Sequence, residues 1–143
     1  MREIEFRGKW SHNGKWIYGS LTDKNNGERL ISDRSRLDGF DGRYVIPETV
    51  GQFTGLKDKN GVKIFEGDVV DFTDFNGISG GETQYKGVVK FSDGQWEIWQ
   101  HPDFEYYDGA NGAFHLYWAF NNDCELCVIG SIHDSPELLG GAE

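Results

Sequence analysis

The sequence has no long apolar run and very few cysteines. No stretch of its 143 residues approaches the roughly 20 consecutive apolar residues that a membrane-spanning helix needs, so a spanning helix is excluded. The first seven residues include four charged side chains and no apolar centre, and we therefore expect no secretory signal peptide. Two cysteines are too few for the disulfide framework of a secreted domain, which favours a cytoplasmic protein.

Positive charge is also scarce. The chain has 14 Lys and Arg against 24 Asp and Glu, which gives a formal net charge of −10. Because contacts with a phosphate backbone depend on Lys and Arg, this balance disfavours nucleic-acid binding. Four arginines lie between residues 29 and 43, but Asp33, Asp38 and Asp41 interrupt them. The acidic balance is typical of an ordinary soluble domain, and it also suits an acidic surface that meets a basic partner.

Alanine is rare, whereas glycine and aromatic residues are abundant. The chain has four Ala and 20 Gly, and 15% of its residues are aromatic. Glycine therefore occurs at about twice its usual share of ~7%. Short β-strands joined by tight turns have this composition. With a length typical of one domain and no linker or repeat, the chain is predicted to be all-β with a minor α component.

The strongest local prediction is a β-hairpin within residues 86–100. Asp93-Gly94 is a two-residue turn between two apolar runs. The turn sets four cross-strand pairs, Phe91 with Trp96, Lys90 with Glu97, Val89 with Ile98, and Val88 with Trp99. The pairs Phe91–Trp96 and Val89–Ile98 lie on one face, which is the predicted core face. A slip by one residue would expose all four apolar side chains, so the register is well specified. Lys90 and Glu97 form a predicted charge pair on the opposite face, which Trp99 shares.

Alternation and turn signals predict the remaining elements. The predicted strands are 3–8, 15–22, 30–31, 44–46, 48–54, 62–65, 68–75, 114–120 and 124–132. Residues 114–120 are assigned to a strand because the segment is highly aromatic. Ser135, Pro136 and Glu137 have the N-cap, first-turn proline and acidic residue of a short C-terminal helix.

Cys124 and Cys127 form a lone C-x-x-C motif. A structural zinc site needs four ligands and usually has two such pairs. His101, His115 or His133 could complete a site, but nothing in their spacing demands it. Within a strand, an offset of three residues places the two thiols on opposite faces. We interpret both cysteines as buried or half-buried packing residues, with a metal site and a redox pair as the alternatives.

No motif for enzymatic chemistry occurs. The chain lacks the glycine-rich phosphate loop, the dinucleotide-binding fingerprint and the G-x-S-x-G nucleophile motif. Its many carboxylates form pairs by chance, so they do not define a hydrolase site. The sequence therefore predicts no catalytic residue, no cofactor and a protein that is not an enzyme.

The best interaction candidates are aromatic residues in and near the polar loop 101–112. They are Trp99, Phe104, Tyr106, Tyr107 and Trp118. Exposed Trp and Tyr side chains are typical of the residues that dominate protein interfaces. In the alternative interpretation, the loop folds back and covers Trp99 as a second small apolar cluster.

Five segments of the sequence are similar to a known family. They are 1–8 (MREIEFRG) with 14–19 (GKWIYG), 45–61 (VIPETVGQFTGLKDKNG), 64–70 (IFEGDVV) and 128–139 (VIGSIHDSPELL). Together with the predicted hairpin, they resemble the YopX-like family of phage and prophage proteins. The resemblance implies a mostly β fold with a small SH3-type barrel, and a bacterial cytoplasmic setting through a phage or prophage genome. It implies no activity and no catalytic residues, and the loops 75–85 and 101–112 and the C-x-x-C motif depart from the family pattern.

These observations combine into one expectation. We expect a single domain over 1–143, with an N-terminal β extension (1–56) and a barrel-containing part (57–139). An SH3-like barrel is built around 62–99 and the last strand, followed by the short helix. The expected function is a binding or assembly module whose partner is another copy, a host protein or a phage protein. The alternatives are an acidic inhibitor of a host nucleic-acid-binding protein and a small metal-dependent hydrolase.

Overall fold

β-strands predominate in the computed structural model, which describes residues 4–32, 42–75, 82–92, 94–100, 113–121, 124–135 and 137. The chain divides into two compact units, Met1–Gly55 and Leu56–Glu143. None of the helices in the described ranges has the length and apolar character needed to cross a bilayer.

Five strands of an antiparallel sheet make up the first unit. Their bounds in chain order are β1 Phe6–Lys9, β2 Trp16–Asp23, β3 Arg29–Ser32, β4 Gly42–Val45 and β5 Gly51–Lys57. Their order across the sheet is β4-β3-β2-β1-β5. Pro47 occupies the first position of a 3-10 turn, Pro47–Thr49. This turn replaces the start of the predicted strand 48–54.

This sheet curls, so that the end of β4 returns to the residues that follow β1. Trp10 forms a β-bridge with Val45. The N–H of Ser11 donates to the carbonyl oxygen of Tyr44 at 2.9 Å, and that of Ile46 to Lys9 at 2.8 Å. The glycine at position 8 suits this close approach, because a Cβ atom there would lie only 3.1 Å from the Cβ of Val45.

The elements of the second unit are β6 Lys63–Phe65, β7 Asp68–Asp74, β8 Thr83–Ser92, β9 Gln95–Trp99, β10 Ala113–His115, α1 Leu116–Asn121 and β11 Cys127–Ser131. Five of these strands form a second antiparallel sheet with the order β10-β9-β8-β7-β11. Strands β7 to β10 follow one another across the sheet, and β11 returns to the far edge beside β7. The described strands do not form a closed barrel, so the expected SH3-like barrel is not confirmed.

The core of the second unit lies between one face of its sheet and α1. The buried cluster comprises Ile64, Val70, Phe72, Val89, Ile98, Leu116, Ala119, Cys124 and Leu126. Leu116 and Ala119 are three residues apart and are both buried, whereas Tyr117 and Phe120 are exposed. This spacing is helical, so α1 buries one face against the sheet and leaves aromatic rings on the other.

The register of the β8–β9 hairpin is confirmed. Phe91 pairs with Trp96, Val89 with Ile98, and Val88 with Trp99. Val89 and Ile98 are fully buried, as predicted, but Phe91 is 54% exposed. The prediction of Phe91 as a core residue is therefore wrong. Its pair lies beside the turn at the end of the sheet, where the ring of Phe91 contacts Trp96 edge-on at 5.0 Å between centroids.

Two other predicted strands are corrected. Residues 114–120 do not form a strand, because only Phe114 and His115 continue β10 and the helix α1 begins at Leu116. In an unbroken apolar run, period 2 and period 3.6 cannot be told apart, so the aromatic content was misleading. The last strand begins at Cys127 rather than Cys124. The predicted C-terminal helix lies outside the described residues, apart from Ser135 and Glu137.

We predict that Gly87→Ala strongly destabilises the second unit. A Cβ atom at this position in β8 would lie 2.6 Å from the carbonyl oxygen of Trp99 and 2.7 Å from Cγ2 of Ile98. Because backbone cannot move aside as a side chain does, we expect a loss of about 2–3 kcal/mol in the free energy of unfolding. Urea denaturation followed by circular dichroism measures it.

Gly94→Ala is the matched control in the same hairpin. Gly94 has a φ of +81°, and a Cβ atom there would point into open space, so this variant tests backbone strain alone. We expect it to cost about 1 kcal/mol. Equal losses for the two variants would show that the close approach at Gly87 is not the constraint described.

Candidate functional site

Trp99 is the best described of the expected interaction residues. Its indole Nε1 donates to Oε1 of Glu97 at 2.9 Å, and the ammonium of Lys90 lies 5.3 Å from its ring centroid. Lys90 and Glu97 are register partners, yet both side chains contact Trp99 in place of the predicted charge pair. The ring is half-buried, and the register places it on the hairpin face opposite Val89 and Ile98. Phe104, Tyr106 and Tyr107 lie outside the described residues.

Trp118 has a packing role. Its ring stacks on Phe114 at 5.6 Å between centroids and meets Phe72 edge-on at 6.4 Å. Phe114 in turn lies 5.1 Å from Phe72 and 4.7 Å from Tyr85. Trp118 is therefore part of an aromatic group at the margin of the buried core, where it is half-buried.

The two cysteines occupy different environments. Cys124 is buried in the core cluster, and Cys127 is half-buried at the start of β11. Because Cys124 precedes the strand, the argument from opposite strand faces does not apply to this pair. Between them, Glu125 adopts a φ of 55°, which is uncommon for a residue other than glycine. Within the described ranges, no group of three or more His, Cys, Asp or Glu side chains is arranged to hold a metal ion.

The buried carboxylate of Asp58 stabilises the turn at residues 58–61 through hydrogen bonds. Its Oδ1 accepts hydrogen bonds from the N–H groups of Asn60 and Val62, both at 2.9 Å. Its Oδ2 accepts from the N–H of Val128 at 2.9 Å, which ties the turn to β11. The N–H of Lys59 also donates to the carbonyl oxygen of Leu126 at 2.9 Å. One carboxylate thus holds two distant segments together.

A small polar cleft of about 250 Å³ opens beside this junction. Its lining is Lys59, Asp71, Phe72, Thr73, Gln84, Glu125 and Cys127. Lys59 and Glu125 form an ion pair across it at 3.8 Å, with both side chains about half exposed. The cleft brings together one ammonium, two carboxylates and a thiol. It is smaller than the roughly 300–1,000 Å³ of most small-molecule sites and is mainly polar.

A different cluster lies in the first unit, where aromatic rings are paired with cations. We call Trp10, His12, Lys24, Arg43 and Tyr44 the aromatic–cation patch. The guanidinium of Arg43 lies 5.0 Å from the ring centroid of Trp10, and the rings of His12 and Trp10 are 5.0 Å apart. The ammonium of Lys24 donates to the hydroxyl of Tyr44 at 3.0 Å and lies 5.3 Å from its ring centroid. That hydrogen bond raises the pKa of Lys24 above its ordinary value.

Strand β4 positions the aromatic–cation patch. Arg43 and Tyr44 are consecutive in β4, so their side chains project from opposite faces of the sheet. Trp10 shares the face of Arg43 because it bridges Val45. Sequence reasoning noted the arginines between 29 and 43 but missed Trp10, Lys24 and Tyr44. Only the bridge between β4 and the residue after β1 brings Trp10 to Arg43.

Charge is divided unequally between the two units. The first unit has nine Lys and Arg against eight Asp and Glu, whereas the second has five against sixteen. The net negative charge of the chain therefore belongs entirely to the second unit. An argument from the total charge of −10 does not describe the surface of the first unit.

The protein is mostly β and has two antiparallel sheets. The model of the YopX protein family matches residues 5–140, and the chain belongs to this family. The crystal structure of protein EF1440 from Enterococcus faecalis is similar, with a TM-score of 0.52 and 23% sequence identity. The match covers 97% of this chain and 99% of that one. No curated protein is significantly similar in sequence.

We predict that Asp58→Ala destabilises the second unit. The substitution removes a buried carboxylate and leaves three partly buried backbone N–H groups without their acceptor. We expect a loss of about 3 kcal/mol or more in the free energy of unfolding, measured by urea denaturation. The control is Lys59→Ala in the same turn, which removes only an exposed ion pair and is expected to cost less than about 1 kcal/mol. A small loss for both variants would contradict the fastening role of Asp58.

Proposed function

We propose that this YopX-family chain is a non-enzymatic binding module that acts through protein–protein contacts. The observation that supports it is a set of exposed aromatic side chains in the second unit. Tyr117 is 64% exposed, Phe91 54% and Phe120 44%. Single exposed apolar residues are common, but these belong to ring pairs, Phe91 with Trp96 and Tyr117 with Phe120. Exposed aromatic side chains, Tyr among them, are typical of the residues that dominate protein interfaces.

The choice of binding over catalysis rests on chemistry. The sequence has no motif for phosphate binding or nucleophilic catalysis. The polar cleft at Lys59 is small and open, and a catalytic site usually encloses its substrate. The proposed partner is another copy of the chain, a host protein or a phage protein, in the bacterial cytoplasm that the family resemblance implies.

A second candidate function is an acidic inhibitor of a host nucleic-acid-binding protein. It is favoured by the concentration of sixteen acidic residues against five basic ones in the second unit. Such a protein would compete with nucleic acid by presenting carboxylates to a basic surface. This candidate and the first differ in the partner, since only the inhibitor requires one that also binds nucleic acid.

The proposal is tested with the double variant Phe91→Ser/Tyr117→Ser. The immobilised chain is exposed to bacterial lysate, and its mass in solution is measured by light scattering at low and high salt. We expect the wild type to capture a defined protein or to self-associate, and the double variant to lose that association. Captured protein that is released by added DNA would identify the inhibitor.

Ile4→Ser is the matched control, because Ile4 is an equally exposed apolar residue in the first unit. It is expected to behave as the wild type does, and circular dichroism checks that both variants fold. A monomeric wild type that captures nothing would contradict the proposal. So would a double variant that keeps every association of the wild type.

A further inference from the structure

We infer that the polar cleft beside the 58–61 turn receives an arginine side chain of a partner protein. The inference rests on the proposed function, since it takes the occupant from a protein, and it names the chemistry of one contact. The side chains that carry the argument belong to Asp71, Thr73 and Gln84, which line the cleft together with the Lys59–Glu125 ion pair.

The strand register places four of the lining residues on one face of the second sheet. Asp71 and Thr73 are two positions apart in β7, so they share a face. Across the ladders, Cys127 is the partner of Asp71, and Gln84 is the partner of Thr73. Directly opposed residues of an antiparallel pair lie on the same side of the sheet. The four are therefore neighbours on the face opposite that of the core residue Val70.

The hydroxyl of Thr73 is the observation that points to a ligand. Thr73 is only 8% exposed and lines the cleft. Its backbone N–H donates to the carbonyl oxygen of Cys124 at 2.7 Å, but its hydroxyl has no hydrogen bond to any part of the chain that the structure describes. Buried polar side chains nearly always have a partner. A donor of a bound ligand supplies that partner here.

Asp71 decides the charge of the ligand. Its half-buried carboxylate makes no ion pair with a described residue, and its ladder partner Lys86 is exposed and does not line the cleft. Glu125, by contrast, is paired with Lys59 at 3.8 Å. One carboxylate of the cleft thus has no cation beside it, in a unit with sixteen acidic residues against five basic ones. Local and overall charge both favour a positive ligand.

The acceptors of the cleft favour a guanidinium over an ammonium. The two carboxylate oxygens of Asp71, the hydroxyl of Thr73 and the amide oxygen of Gln84 are four acceptor atoms. An ammonium has three N–H donors, whereas a guanidinium has five in a planar fork that matches a carboxylate. The cleft volume of about 250 Å³ is below that of most small-molecule sites, so a single side chain is the better fit.

Continuity with the proposed interface makes a protein the source of the guanidinium. Lys59 and Glu125 line the cleft, and they also line a second depression of about 110 Å³ to which Phe120 contributes. Phe120 is 44% exposed, and its ring lies 6.4 Å from that of Tyr117. A partner that covers these two rings therefore lies next to the cleft. Arginine is also one of the residue types most enriched among interface hot spots.

The test is an NMR titration of the isotope-labelled full chain with N-acetyl-arginine amide. We expect the backbone amide signals of Thr73, Gln84 and Cys127 to shift and to saturate in the millimolar range, and added salt to weaken binding. N-acetyl-citrulline amide has the same shape without the charge, and we expect it to bind about tenfold more weakly.

Four variants locate the binding. Asp71→Asn keeps the shape of the side chain and is expected to weaken binding about tenfold. Thr73→Val is expected to weaken it about threefold without lowering stability to urea, because the hydroxyl is not used by the described fold. Lys59→Ala removes a competing cation and is expected to strengthen binding about threefold. Glu137→Gln, the control, removes an exposed carboxylate outside the cleft and is expected to change nothing.

Several outcomes would overturn the inference. They are the absence of saturable shifts at the cleft, equal binding of the citrulline compound, and a loss in Glu137→Gln as large as that in Asp71→Asn. Tighter binding of N-acetyl-lysine amide would contradict the choice of a guanidinium. Tighter binding of spermidine would make a free polyamine the occupant in place of a protein.

The two proposals fail separately. If N-acetyl-arginine amide does not bind, but the Phe91→Ser/Tyr117→Ser variant loses an association that the wild type has, the inference is wrong and the proposed function stands. If the compound binds at Asp71 while the wild type is monomeric and captures no protein, the proposed function is wrong. Only the guanidinium chemistry of the cleft then stands.

Discussion

The second unit depends on a single buried carboxylate. Asp58 accepts three backbone hydrogen bonds, two from its own turn and one from Val128 in β11. A buried carboxylate is costly unless its oxygens are satisfied, and here backbone N–H groups satisfy them. The same bonds place Glu125 and Cys127 beside Lys59, which forms the polar cleft. Together with the pairing of β11 and β7, this one side chain therefore fixes the start of β11, the cleft and the environment of Cys127.

The part of the fold that could be predicted is the part governed by local signals. Asp93-Gly94 specifies a hairpin turn, and the alternation on each side admits only one register, which the structure has. The helix α1 was missed because Leu116 to Phe120 is apolar at nearly every position, so no period is visible. Burial of Leu116 and Ala119 against the sheet selects the helix, and that is a tertiary effect.

The candidate sites were less predictable, because they depend on contacts between distant residues. Alternation puts Trp99 on the same hairpin face as Lys90 and Glu97, but the sequence does not reveal that both side chains contact its ring. Trp10 and Arg43 are 33 positions apart and meet only because the first sheet curls. The total charge also misled, since it averages a nearly neutral unit with a strongly acidic one. An argument from charge composition therefore has to be made for each unit separately.

The bond between Asp58 and Val128 spans 70 positions, and it has a consequence for synthesis on the ribosome. The first unit is built from contacts within residues up to Gly55, so it can fold while the remainder is still being translated. The second sheet needs β11, which pairs with β7, before Asp58 has all its donors. Until Ser131 has emerged, β7 is an open edge strand with a row of unpaired backbone groups. Nascent chains therefore pass through a stage in which a finished first unit precedes an exposed, aggregation-prone sheet.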